Sequence, residues 1–199
     1  MKNDIILSGV GGQGILSIAS TIGLAAVAND LFLKQSEVHG MSQRGGDVQS
    51  HLRLSDKPVY SDLIPFGMAD LIISVEPMES LRYLPWLSDK GWLVTNSNPF
   101  INIPDYPPLD EIISEIKKIR NHIIIDADGI AKQAGSPRSG NIVILGVASL
   151  YIDMSFESLE KAVTKLFNRK GDHIVEANLK ALRAGRDSSS GLKIKDSQI

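Results

Sequence analysis

Short continuous apolar runs alternate along this chain with longer stretches whose apolar residues recur at helical spacing. Ile5-Ile6-Leu7, Leu71-Ile72-Ile73-Ser74-Val75 and Ile123-Ile124-Ile125 read as strands, the second of them typical of a parallel strand covered on both faces. Further strands are expected over 31–36, 48–54 and 91–95. Asp56-Lys57-Pro58 marks a turn, from which Val59-Tyr60-Ser61 would return as a hairpin partner. Helices are expected over 15–28, from Pro77 through Leu81 and Leu84, and over 109–119, 141–152, 156–167 and 172–184. Small residues dominate 15–28, which implies tight packing on a sheet. Residues 141–152 are so uniformly apolar that they must be buried or covered by another chain. Residues 96–108 hold four prolines and form an irregular excursion, and Asp128 is expected to cap the helix that follows 123–125. The alternation over 1–187 predicts a single α/β domain: an open, mainly parallel, Rossmann-like sheet with helices on both faces. Residues 188–199 are expected to be a flexible polar tail.

Two loops carry the candidate chemistry. Gly9-Val10-Gly11-Gly12-Gln13-Gly14 lies between the first strand and the first helix. Its spacing suits a tight turn, close approach of a phosphate and close helix–strand packing. The helix start adds free N–H groups and partial positive charge, so an anion near residues 11–14 would be stabilised without a lysine. No Lys-Ser or Lys-Thr follows, which excludes a P-loop. A turn used only for packing is the plain alternative. A dinucleotide would also require an acid at the end of the second strand. Glu37 is the candidate, although it also opens the second loop, Glu37 to Asp47.

Within that second loop, residues 39–46 contain three glycines and no β-branched residue, a poor strand and a poor helix. The segment is expected at the C-terminal edge of a parallel sheet, where such folds place ligands. Arg44 could present a planar, permanently charged fork to a phosphate or carboxylate, or pair at the surface with Glu37 or Asp47. The candidate binding residues are Gly9, Gly11, Gly12, Gln13 and Gly14 from one loop and Ser42, Gln43, Arg44, Gly45 and Gly46 from the other, facing a common cleft.

Taken together, residues 9–14 and the run Glu37-Val38-His39-Gly40-Met41-Ser42-Gln43-Arg44-Gly45-Gly46-Asp47-Val48-Gln49-Ser50-His51-Leu52-Arg53 resemble the gamma-type domain of the 2-oxoacid:ferredoxin oxidoreductases, in particular its indolepyruvate branch. Ala69 to Glu76, then Glu79, Arg82 and Leu87, then Asn141 to Gly146 and Glu176-Ala177-Asn178, continue the likeness. The resemblance implies a subunit of an enzyme that oxidatively decarboxylates aryl pyruvates with coenzyme A to aryl acetyl-CoA, carbon dioxide and reduced ferredoxin. It also implies that thiamine diphosphate and the iron–sulfur clusters belong to a large, cysteine-rich partner subunit, through which ferredoxin is engaged. This chain is then inactive alone, carries no catalytic residue and no cofactor of its own, and helps to form the complex and the substrate or coenzyme A entrance. An NAD- or FAD-binding Rossmann module and a purely structural subunit stay open as alternatives, as does a homo-oligomer of the isolated chain.

Composition sharpens this picture further. A length of 199 residues with 43% hydrophobic and 22% charged residues fits one ordinary globular domain. The formal charge of −2 argues against nonspecific nucleic-acid binding. No secretory leader and no membrane span is expected, so the reading is cytoplasmic. Cysteine is absent, which removes disulfides, thiol catalysis and cysteine-held clusters from this chain. His39, His51, His122 and His173 are too dispersed for a compact local metal motif, and no metal site is expected.

Overall fold

β1 (Lys2–Val10) is the pivot of the sheet: in the computed structural model, which describes residues 1–40 and 45–190, this strand is buried from Asn3 onward. Ile5 and Leu7 face one side and Ile6 the other, each fully covered, which is why the run is continuously apolar. The other strands are β2 (Phe32–His39), β3 (Asp47–Ser55), β4 (Ala69–Ser74), β5 (Leu87–Asn96) and β6 (His122–Ile125). The six lie in the order β2-β3-β1-β4-β5-β6. β1, β4, β5 and β6 pair in parallel, while β3 is antiparallel to both β1 and β2. The fold is α/β and mainly parallel, with an antiparallel hairpin forming one edge.

This edge corrects two expectations. The second strand does not end at Ser36. It continues to His39, with Glu37, Val38 and His39 opposite Ser50, Gln49 and Val48. The extension is dictated by the β3 ladder, a partner that local pattern does not reveal. Glu37 therefore sits inside a strand, not at the mouth of a loop. Nor is Val59-Tyr60-Ser61 a strand, because β3 already has β2 on one side and β1 on the other. Arg53 holds this segment instead, donating to the carbonyls of Ser61 and Leu63 at 3.2 and 3.0 Å. The same guanidinium grips the buried Asp4 carboxylate through two bonds of 2.7 and 3.1 Å. His51 adds a further anchor, its Nδ1 accepting from the Ile64 N–H at 3.0 Å.

The helices are α1 (Ile15–Ala28), α2 (Pro77–Arg82), α3 (Leu109–Ile116), α4 (Ala127–Gln133), α5 (Gly140–Ala148), α6 (Phe156–Phe167) and α7 (Asp172–Ser190). α2 and α3 cover the face that presents Ile6, Ile72 and Leu93. The opposite face, with Ile5, Leu7, Leu71 and Val94, carries the rest. There α1 and α5 lie against the sheet, and α6 and α7 pack on them. This double layer explains the uniform apolarity of α5: every residue from Ile142 to Ala148 is buried, and α7 of the same chain is its outer cover. At the α5–α7 crossing a Cβ on Gly146 would stand 2.1 Å from the Leu182 carbonyl oxygen, and one on Gly185 would stand 2.1 Å from that of Val143. Only glycine permits such an approach. α7 runs on to Ser190, three residues into the stretch expected as tail, and residues 191–199 lie outside the described part.

α4 is capped by Asp126, not Asp128: the Asp126 carboxylate accepts from the Gly129 N–H at 2.8 Å. Asp128 is thereby left to face the carboxyl edge of the sheet. At that edge the connection after β1 leads to α1 on one face, and the connection after the neighbouring β4 leads to α2 on the other. Adjacent strands whose connections diverge in this way leave a crevice between them, the position at which open α/β sheets bind ligands.

Candidate functional site

The glycine loop lines this crevice, but its glycines serve different ends. A Cβ on Gly9 would stand 2.3 Å from Val75 Cγ2, so Gly9 lets the turn after β4 approach. Gly14, at φ 82°, precedes α1, and a Cβ there would stand 2.5 Å from Asn141 Nδ2. Asn141 in turn donates to the Gly14 carbonyl at 3.0 Å, tying α5 to the start of α1. Gln13 folds back: its Oε1 accepts from the Val10 N–H at 2.8 Å, and its own N–H donates to the Val10 carbonyl at 3.1 Å. Gly12 differs from Gly9 and Gly14 in facing open space: a Cβ there would have nothing within 4 Å. The Gly12 N–H has no partner among the described residues.

Ser42, Gln43 and Arg44 lie outside the described residues. Gly45 and Gly46 lie directly against the glycine loop. The Gly11 N–H donates to the Gly46 carbonyl at 2.8 Å, and the Gly45 N–H reaches the Gly11 carbonyl at 3.5 Å. The Gly11 and Gln13 amides are therefore already engaged, and the donor set expected for an anion shrinks to Gly12, Gly14 and the first turn of α1. The far side of Gly45 is held by Asn102, whose Nδ2 donates to the Gly45 carbonyl.

Two adjoining cavities occupy the crevice. One, of about 420 Å³, lies among Gly12, Gln13, Val75, Asn96, Asn98, Phe100 and Asp128. The other, of about 650 Å³, lies among Gly14, Ser17, Ser139, Phe167, Lys170, His173 and Asn178. Gly12, Gln13, Pro137, Arg138 and Asn141 line both. Asn96 and Asn98 fix Asp128 from above, with amide donors 3.2 and 3.1 Å from Oδ2. Among the described residues no group of histidine and carboxylate side chains is placed to hold a metal ion.

Beneath the 97–106 excursion lies a buried acidic network that the linear pattern did not announce. Glu76 is fully buried and caps α2, accepting from the Glu79 N–H at 2.7 Å. Its other oxygen accepts from the Phe100 N–H at 3.3 Å and from the Tyr106 hydroxyl. Glu79, also buried, accepts from Arg82 Nε at 2.8 Å. Burial drives the Glu79 carboxyl above the usual glutamate range, with Arg82 opposing the shift. Burial likewise pushes the Tyr83 and Tyr106 phenols well up, helped by Asp47 for the first and Glu76 for the second. The network pins the excursion to the sheet edge. Its advance signs were the Glu76-Pro77 pair, which reads as a helix start, and the place of Glu76, Glu79 and Arg82 in the family likeness.

The chain matches the family profile described as "Pyruvate ferredoxin/flavodoxin oxidoreductase" over residues 4–188. It is 39% identical over 194 residues to the indolepyruvate oxidoreductase subunit IorB of Archaeoglobus fulgidus, covering 93% of this chain and 94% of that protein. The corresponding subunit of Methanothermobacter thermautotrophicus is 36% identical over 192 residues, covering 93% and 96%. Among solved structures, a 2-oxoglutarate:ferredoxin oxidoreductase from Magnetococcus marinus superposes with a TM-score of 0.75 at 21% identity. That likeness covers 96% of this chain but 31% of the other, so the chain spans about a third of that longer polypeptide. The gamma subunit of a keto/oxoacid ferredoxin oxidoreductase from Geobacter sulfurreducens gives a TM-score of 0.70 at 25% identity, covering 95% and 99%. With the switch-point crevice, the paired loops and a match along nearly its whole length, the chain belongs to the pyruvate ferredoxin/flavodoxin oxidoreductase family, as a small subunit of the 2-oxoacid:ferredoxin oxidoreductase type.

Proposed function

We propose that this chain is the small subunit of an indolepyruvate:ferredoxin oxidoreductase and forms part of its coenzyme A entrance. The complex cleaves the bond between the carboxylate and carbonyl carbons of an aryl pyruvate and releases carbon dioxide. The acyl group passes to the coenzyme A thiol, and the electron pair passes to ferredoxin. Thiamine diphosphate supplies the carbanion chemistry and iron–sulfur clusters the electron transfer. Both are assigned to a large partner subunit, since this chain has no cysteine to hold a cluster and no convincing Gly-Asp-Gly thiamine motif. The similarity to the IorB subunits supports the choice of oxoacid. The Magnetococcus enzyme was determined with coenzyme A and succinyl-CoA bound, which supports the choice of acyl acceptor.

The observation that carries the reading is the union of the two loops at the crevice, sealed by the Gly11–Gly46 bond. Gly12 offers there an amide with no partner among the described residues, and Arg44, which lies outside the described residues, is proposed as an anion contact from its place in the second loop's sequence. The same geometry speaks against the dinucleotide alternative. β3 stands between β1 and β2, so Glu37 lies two strands away from the glycine loop instead of beside it.

The decisive experiment is reconstitution. Indolepyruvate-dependent viologen reduction is expected from the large and small subunits together, and none from this chain alone. Robust turnover by the isolated chain would refute the division of labour. Arg44→Ala is expected to leave the far-UV circular dichroism unchanged while weakening coenzyme A-dependent turnover or assembly, by about 1.5–3 kcal/mol for a desolvated charged contact.

A further inference from the structure

β2 ends the sheet on the hairpin side, and among the described residues no further strand ladders to it. It runs for eight residues, whereas β6 at the opposite edge runs for four. Shortness blunts an edge, but a long edge is a template for another strand. Exposed apolar side chains flank this edge on both faces of the sheet. Residues directly opposite in a ladder point the same way, so Phe32, Lys34 and Val38 share the face of Arg53 and His51. Phe32 is 47% and Val38 58% exposed there. The segment that Arg53 holds on that face adds the exposed Tyr60 and Leu63. On the other face lies α1. Leu16, Gly23 and Val27 recur on one side of that helix, and a Cβ on Gly23 would stand 3.2 Å from Leu33 Cδ2, so this side adjoins β2. Leu16 and Val27 are exposed at its two ends.

A bare strand edge offers little area, and a specific interface needs about 800 Å² from each partner. The flanking apolar groups supply the rest for an occupant that is itself apolar above and below a strand, as a second copy of this edge is. Two-fold pairing keeps each face of the sheet on its own side, so β2 meets its copy only in registers centred on a residue. Centring on Lys34 sets lysine against lysine, and centring on Glu37 sets glutamate against glutamate. Centring on Ser36 sets Lys34 against Val38. Centring on Gln35 sets Phe32 against Val38 of the copy, an aromatic side chain on a β-branched one, and Lys34 against Ser36. We infer that two copies of this chain join edge to edge along β2, about a two-fold axis at Gln35, so that their six-stranded sheets become one. The contact is closed, because it uses the same edge of both chains. β2 stands two strands from β1, so the crevice stays open in the pair.

Sedimentation of the full chain at about 100 μM should show a dimer of micromolar affinity. Val38→Lys and Phe32→Lys each set a lysine against an apolar residue of the copy, and each should raise the dissociation constant about tenfold. Far-UV circular dichroism in dilute solution, unchanged from the parent, would show that these exposed substitutions leave the chain folded. The chain has no cysteine, so Gln35→Cys places a single thiol at the axis. A short bis-maleimide should join two such chains within the dimer. It should not join chains carrying Lys90→Cys, an exposed position on β5 far from the edge. A monomer at 100 μM would overturn the pairing. A dimer that both lysine variants leave intact, or that cross-links as readily at residue 90 as at residue 35, would overturn the edge. In the reconstituted complex, Val38→Lys should bind the large subunit as the parent does. Loss of that binding would give the edge to the large subunit and overturn its assignment to a second copy.

Discussion

The Gly11 amide and the Gly46 carbonyl are joined at 2.8 Å, so two loops far apart in the chain form one wall. Asn102 closes the other side of that wall through the Gly45 carbonyl. The wall thus has an inner layer, a middle layer and an outer strap, contributed by three separate connections at the carboxyl edge of the sheet.

Substitutions in the glycine loop should divide by role. Gly14→Ala meets both a left-handed backbone and Asn141, and is expected to lower stability by about 2–3 kcal/mol. Gly12→Val meets open space but keeps φ at 101°, so it should cost about 1–2 kcal/mol while obstructing approach to the loop's open amide at Gly12. Urea unfolding measures the first effect. Reconstituted turnover measures the second, which should be far larger for Gly12→Val than its stability loss explains.

Arg53 and the buried Asp4 form a part-buried pair with two hydrogen bonds. Arg53→Ala leaves a carboxylate that is 1% exposed with Lys2, 2.8 Å away, as its remaining charged partner among the described residues and frees the 61–63 segment, and should cost about 2–3 kcal/mol. Arg53→Lys should recover only part of this, since a lysine cannot reproduce the fork. Thermal midpoints with hydrogen exchange at residues 60–64 would check both.

His51 should confer an acid-side loss of stability. Burial lowers its pKa in the folded chain, so the unfolded chain takes up the proton at higher pH. Its neutral form is therefore stabilising above the ordinary histidine value of 6.5, and that contribution declines as pH falls through 6.5 toward the lowered folded value. Parent stability should drop between neutral pH and about pH 5 more steeply than that of His51→Gln. Equal slopes in urea titrations would contradict this.

Glu76→Gln replaces one acceptor oxygen by an amide donor among three donors: the Glu79 and Phe100 amides and the Tyr106 hydroxyl. A loss of about 2–3 kcal/mol is expected. The sharper signature is local: hydrogen exchange should accelerate at residues 98–106 well before α1 or β1 is affected.

The elements packed by local rules were legible from the chain alone. The bounds of α1 follow from its small apolar residues between Gly14 and Asn29, and the parallel strands from their uninterrupted apolar runs. What escaped was nonlocal. The extension of β2 through Glu37 depends on β3, and the fate of 59–61 depends on Arg53 reaching from the sheet. The site shows the same divide. The Gly9-to-Gly14 spacing pointed to the crevice, but Lys170 and His173 arrive at it from the far end of the chain, at a helix start that resembles any other. Nor could spacing show that the Gly11 amide would be taken by Gly46 instead of a ligand.

The close backbone approach at Gly146 and Gly185 bears on the entropy of binding. α5 brings Asn141 to the crevice, α7 brings His173 and Asn178, and the crossing holds the two helices with no side chain between them at these positions. Neither helix can slide without driving a carbonyl into its neighbour. An incoming molecule therefore meets walls already set at their final separation, and little conformational freedom remains to be lost there on association.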